Sequence, residues 1–276
     1  MDLSNENIIH KKDKGFEYLQ FRKLNQYSNL ISHAYSLGIN INFRTSRING
    51  ILPEEEFLKT INNYKKLCKC LNLDYENIVK TEQRHTDNVK IVNLKKDSFE
   101  DNLEIAKKTD ALITNKKDII LSTTNADCIL MIVFDPIKKV IANIHSGWRG
   151  TIKRISVKTI EKMKETYGCN PRDIICCICP SIRKCHFEVD EDVYKMFYNE
   201  FKDLEEIENI IEKNLNKGKW NIDTVLINKI ILRDAGLLEK NIVDSKLCSV
   251  CNKEYIHSFR VEKEGYGLET ALISLI

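Results

Sequence analysis

Two apolar runs, CILMIVF and VIANI, flank Pro136 and its charged neighbours, and they constrain the fold more than any other stretch of the chain. The intervening FDPIKKV breaks the periodicity of both runs, which is turn chemistry. An antiparallel hairpin centred between Pro136 and Ile137 would set Cys128 opposite His145. Opposed residues share a sheet face with Cβ atoms about 4.5–5.5 Å apart, and a one-residue slip would separate them. The second run ends in HSGWRG, where a histidine, a tryptophan and an arginine stand among small residues.

FEYLQF and the segment around SHAYSLGININF read as strands, EEEFLKTINNYKKLCKCLNL as a helix, and ENIVKTEQRHTDNVKIVNL as two strands flanking His85. DALITNKKDIILSTTNADCILMIVFD supplies two or three more strands, and DIICCICP a buried one. TIKRISVKTIEKMKETYG is the clearest helix, with Gly168 as its stop. VDEDVYKMFYNEF and a segment capped at Asn221 and stopped at Gly236 are two more; KWNIDTVLINKIILR reads as amphipathic helix. NIVDSKLC and the C-terminal end add strands. Hairpins and helices mix without repeating βαβ units, so a layered α+β fold is expected rather than a doubly wound parallel sheet.

A chain of 276 residues with 42% hydrophobic content can bury a sizeable core. No Gly/Ser/Pro-rich linker divides it, so residues 1–276 read as one domain, with residues 1–15 a polar lead or peripheral strand. Its 43 basic and 40 acidic residues are interspersed, giving a net charge of +3 and no concentrated basic face for nucleic acid. MDLSNENIIHKKDKGF has no apolar signal core and no run approaches a membrane span, so a cytoplasmic protein without a membrane partner is expected. In a reducing compartment the ten cysteines read as core thiols, metal ligands or a nucleophile before disulfides.

The leading chemical constellation is His85, Cys128 and His145. Two imidazoles and a thiolate suit zinc and leave a fourth position for water or substrate. Copper competes for the same donors. Alternatively Cys128 is a nucleophile activated by His145, with Asp127 or Asn125 orienting the base. The donor fork of Arg149 suits phosphate or carboxylate, and Trp148 offers a flat surface to a base. His186 is a candidate substrate contact. Cys248 and Cys251, spaced C-x-x-C, are candidates for half of a second metal site whose other ligands the sequence does not name; Cys176, Cys177, Cys179 and Cys185 are dense enough for a separate structural site, although DIICCICP reads more simply as a packed strand.

TEQRHTDNV, DALIT, NADC, HSGWRG and CHFEV, in that order, resemble the YfiH/LACC1 family, formerly described as multicopper polyphenol oxidoreductases or laccases. The match runs from roughly His33 to the C-terminus. The resemblance implies a single catalytic domain of the CNF1/YfiH-like type, a layered α/β/β/α sandwich with mixed sheets. It implies purine nucleoside phosphorylase activity on adenosine, inosine, guanosine or S-methyl-5'-thioadenosine, with adenosine deaminase activity, and metal ligands at His85, Cys128 and His145. Purine nucleoside and inorganic phosphate are then the partners, zinc the expected metal, Asp127 a proton relay or ligand-orienting residue, and Arg149 and Arg260 the anion contacts. Copper-dependent polyphenol oxidation and a non-enzymatic metal-stabilised binding protein are the alternatives. The chain departs from the family pattern at Arg84, Thr86, Cys179-Pro180 and Leu268, and HAYSLG lacks the arginine that follows this segment in relatives.

Overall fold

The computed structural model describes residues 2–45, 52–204, 207–214 and 218–276. Strands in chain order are β1 (Ile8–Asp13), β2 (Phe16–Phe21), β3 (Ile31–Leu37), β4 (Ile78–Lys80), β5 (Val89–Ile91), β6 (Ala111–Thr114), β7 (Ile120–Asn125) and β8 (Ile129–Asp135). They continue as β9 (Val140–Ser146), β10 (Ile175–Ile178), β11 (Glu188–Val189), β12 (Ile211–Asn214), β13 (Lys219–Ile222), β14 (Ile242–Asp244) and β15 (Glu269–Leu275). Two six-stranded sheets, ordered β1-β2-β3-β15-β7-β4 and β14-β10-β8-β9-β6-β5, stack face to face, and β11-β13-β12 form a small third sheet. Each large sheet is mixed: β4 runs parallel to β7, and β5 to β6, within otherwise largely antiparallel ladders.

Every residue of β8 and β9 is buried, because both faces of their sheet are covered. Leu130, Ile132, Phe134 and Ile141 pack between the sheets, against Leu121 and Ile273. Met131, Val133, Ala142 and Ile144 face the helices Ile155–Tyr167 and Thr224–Asp234. On the far side of the first sheet, helix Glu54–Leu71 inserts Ile61, Tyr64, Leu67, Cys68 and Leu71 at helical spacing. The order is helix, sheet, sheet, helix: the α+β sandwich. Cys176 and Cys177 point to opposite faces of β10, Cys176 toward the helices and Cys177 between the sheets. No helix among the described residues is long and apolar enough to cross a membrane.

The hairpin forms, with a register different from the expected one. His145 pairs with Leu130, and Asp135 with Val140. The turn is longer because Asp135 Oδ1 accepts from the backbone of Ile137 (2.8 Å) and Lys138 (2.9 Å), and Lys139 takes a left-handed φ of 52°. The partner of His145 therefore moves two residues along, from Cys128 to Leu130, which preserves the face because side chains alternate with period two. Two further elements differ. The helix expected through TIKRIS breaks at Arg154 (φ 58°), separating Trp148–Ile152 from Ile155–Tyr167. Lys219–Ile222 is a strand, so the next helix is capped by Asp223, which accepts from Leu226 N at 2.8 Å, rather than by Asn221.

Near the open end of the sandwich, Asn143 ties the sheets together. Its Nδ2 donates to Leu121 O (3.0 Å) and Ala271 O (2.8 Å), and its Oδ1 accepts from Thr123 Oγ1 at 2.6 Å. Asn143→Leu is near-isosteric but orphans three buried groups; the unfolding free energy in urea is expected to fall by about 1–3 kcal/mol. An unchanged midpoint would mean that the clamp contributes nothing.

Candidate metal centre and cavity

The two stacked sheets part around the ends of β7 and β9, leaving a cavity of about 580 Å3, within the range of small-molecule sites. His85, Cys128 and His145 meet there, their ligand atoms all within 4.8 Å of one another. His85 Nε2 lies 3.7 Å from Cys128 Sγ, and the imidazole rings stand 5.0 Å apart at 80°. His145 is the penultimate residue of β9, on the inter-sheet face; Cys128 precedes β8, after a loop turned by Asp127 at φ 83°.

What organises the three donors is a residue that reading by motif chemistry did not select. Asp110, fully buried just before β6, lies 2.8 Å from His145 Nδ1 through its Oδ1. The same carboxylate accepts from three successive backbone groups, Arg84 N (3.2 Å), His85 N (3.0 Å) and Thr86 N (2.8 Å), and from Thr86 Oγ1 (2.6 Å). His85 is left-handed, φ 57°, which lets consecutive N–H groups converge on one anion. Its only sequence signal is a carboxylate opening the apolar run ALIT.

The electrostatics follow from this packing. Burial opposes ionisation of Asp110, but the bonds from His145 and Thr86 hold its carboxyl down to about 2. Burial also opposes the Cys128 thiolate, yet His145 and His85 bring the thiol down to about 6. For His145 burial disfavours the cation, and Asp110 with Cys128 outweighs it, raising the imidazole to about 9. The result is a thiolate–imidazolium pair whose shared proton a cation can replace. Space confirms the fit: a Cβ on Gly147 would lie 2.5 Å from His85 Cδ2 and 3.2 Å from Cys128 Sγ, so only glycine leaves room for this donor set.

The other expected residues divide. Trp148 lines the cavity, and so does Arg260, whose backbone N donates to Asp127 Oδ2 at 2.7 Å. The other oxygen of Asp127 accepts from Ser249 Oγ (2.6 Å), so this carboxylate positions two loops; the orienting role assigned to Asp127 or Asn125 belongs to Asp110. Asn125 instead donates to Cys128 O (2.6 Å) and Pro180 O (3.0 Å), holding the thiol's loop. Arg149 does not face the cavity: it is exposed, with its guanidinium 4.0 Å over the outer side of Trp148, because it opens a short helix whose periodicity turns it outward. His186 is likewise outside the cavity lining; its Nδ1 faces Cys185, Cys248 and Cys251.

Cations that sequence reasoning passed over stand in their place. Arg44 and Lys80 line the cavity beside Arg84 and Arg260. Arg44 donates to Tyr266 O (3.0 Å) and lies 4.4 Å over the Tyr266 ring, two residues from Leu268. Lys80 ends the apolar strand β4 with 6% exposure; burial, and then repulsion from Arg44, push its ammonium down to about 8.

Comparisons with known proteins bear on the fold and the family. A solved structure titled as a hypothetical protein YfiH from Bacillus licheniformis superposes with a TM-score of 0.82 at 24% identity, covering 97% of this chain and 99% of that one. A purine nucleoside phosphorylase of Bacteroides thetaiotaomicron is 30% identical over 90% of this chain and 92% of its own length. A protein of an unknown prokaryote named adenosine deaminase RL5 is 29% identical over 75% of this chain and 78% of its own. The family described as multi-copper polyphenol oxidoreductase laccase matches residues 54–276. With that match spanning most of the described sandwich and its donor cluster, the chain belongs to this family, the YfiH/LACC1 family of enzymes.

Proposed function

We propose that this chain is a single-domain purine nucleoside phosphorylase with zinc held by His85, Cys128 and His145. The observation that carries the reading is one cavity combining a thiolate–imidazole donor set with the buried Lys80 and the half-buried Arg44 and Arg260. Zinc, when bound, supplies a Lewis acid that polarises a substrate oxygen or lowers the pKa of a water toward about 7. Family names support both nucleoside phosphorolysis and, through the relative called adenosine deaminase RL5, hydrolysis at the adenine amino group. Copper is the competing occupant, since thiolate and imidazole take either metal.

In phosphorolysis an oxygen of inorganic phosphate bonds to the ribose anomeric carbon as the bond to the purine nitrogen breaks; the electron pair leaves with the base, which then takes a proton. Lys80, Arg44 and Arg260 hold the phosphate, replacing the role expected of Arg149. Trp148 lends its face to the purine. Asp110 locks the tautomer and ring of His145 by accepting a hydrogen bond from its Nδ1–H, directing Nε2 toward Cys128. Asp127 holds Arg260 through its backbone N.

Anaerobic incubation with adenosine, inosine, guanosine and S-methyl-5'-thioadenosine, with and without phosphate, is the direct test. Phosphate-dependent free base and ribose 1-phosphate, or its methylthio analogue, are expected by chromatography. Ammonia and inosine from adenosine mark the deaminase reading, and neither product removes both. Cys128→Ala should lose this site's metal and its turnover together; full activity without that metal would sink the account.

Asp110→Asn keeps the shape but weakens the grip on His145, so metal affinity is expected to drop about 10–100-fold by chelator competition. An unaltered affinity would reduce Asp110 to a folding residue. Lys80 carries its charge below about pH 8 and loses it above, so the KM for phosphate should rise as pH passes about 8. In Lys80→Met that limb should vanish and the phosphate KM increase about tenfold or more at pH 7, as for a lost charged hydrogen bond. A phosphate KM that ignores the substitution would take Lys80 out of the anion site.

A further inference from the structure

We propose that Cys185, His186, Cys248 and Cys251 form a second zinc site, structural in kind and separate from the cavity. The C-x-x-C pair receives its two missing partners from a segment more than sixty residues earlier, which is why spacing alone does not name them. All four ligand atoms lie within 4.8 Å of one another.

The polyhedron is the right size. Zinc at about 2.3 Å from sulfur and 2.0–2.1 Å from nitrogen in a tetrahedron sets S···S edges near about 3.8 Å and S···N edges near about 3.6 Å. Cys185 Sγ lies 3.7 Å from Cys248 Sγ and 4.0 Å from Cys251 Sγ. His186 Nδ1 lies 3.7 Å from Cys248 Sγ and 3.6 Å from Cys251 Sγ. The one compressed edge, 3.1 Å between His186 Nδ1 and Cys185 Sγ, joins consecutive residues and opens by side-chain rotation. A disulfide would instead draw two sulfurs to about 2.05 Å and leave a thiol and an imidazole without purpose. Four protein donors fill the coordination sphere, the mark of a structural rather than catalytic zinc.

The backbone pre-forms the site. Ser181 N donates to Leu247 O (3.3 Å) and Ser249 N to Ser181 O (3.0 Å). Arg183 spans the same gap, with its guanidinium bidentate to Asp244 at 2.9 and 2.7 Å and its Nε donating to Leu247 O at 3.1 Å. The clip bears on the cavity from two sides. Segment 182–189 carries the lining residues Ile182, Phe187 and Val189, and Ser249, inside the C-x-x-C, donates to Asp127 beside Cys128.

The test is metal content and ligand type in anaerobically purified protein. Wild type is expected to hold about two zinc per chain and Cys128→Ala about one, since the four ligands here are untouched. After cobalt exchange, the Cys128→Ala protein should show intense thiolate-to-metal charge transfer in the near ultraviolet, and adding Cys251→Ser should weaken it. A Cys128→Ala protein with no zinc, a cobalt spectrum without thiolate bands, or a Cys185–Cys248 or Cys248–Cys251 disulfide in the purified protein would overturn the proposal. Activity plays no part in this readout, so a failure here and a failure of the phosphorylase reading are distinguishable.

Discussion

The Asp110 carboxylate is the interaction on which the site depends. A fully buried charge is costly unless compensated, and breaking such an arrangement typically costs about 3–5 kcal/mol. Here compensation comes from His145 and from the backbone of Arg84, His85 and Thr86, so the group that needs neutralising also brings the loop of one histidine to the strand of the other. The left-handed His85 is a consequence: its backbone strain is offset by the bonds it permits. Two imidazoles are thus delivered to one thiol by a residue that is not itself one of the three donors.

Much of this was legible in the sequence, and the parts that were not have definite causes. The layered α+β fold follows from apolar runs and helical periodicities, which report burial directly. The three donors are legible because few residue types carry their chemistry. The hairpin register was misplaced because Asp135 caps its own turn, a local hydrogen-bonding choice that periodicity does not record. The error still left Cys128 near His145, because a shift of two residues keeps a side chain on its face. Arg149 was misassigned because helix Trp148–Ile152 rotates adjacent side chains about 100° apart: Trp148 inward, Arg149 out over its ring. Lys80 and Arg44 were passed over because a lysine closing a strand and an arginine in a loop look ordinary until tertiary packing buries the one and stacks the other.

The departures from the family pattern take on a different meaning in three dimensions. Leu268 stands where the family resemblance leads one to expect an arginine, yet Leu268 N is held by Asn42 Oδ1 and its carbonyl by Phe43 N. Those contacts bring Arg44 to the same wall, so a cation reaches the cavity from a different strand of chain. The anion-binding character of that wall is therefore a property of the cavity and not of one position.

The cavity and the cysteine cluster share a frame. Asp127 precedes Cys128, and its two oxygens hold Ser249 and the backbone of Arg260. Displacing the 248–251 loop would therefore remove one of the bonds that hold Asp127 and the left-handed turn before the thiol. A thiol loop, a cationic wall and a cysteine clip, distant in sequence, are thus joined through a single buried carboxylate, just as the two histidines are through Asp110.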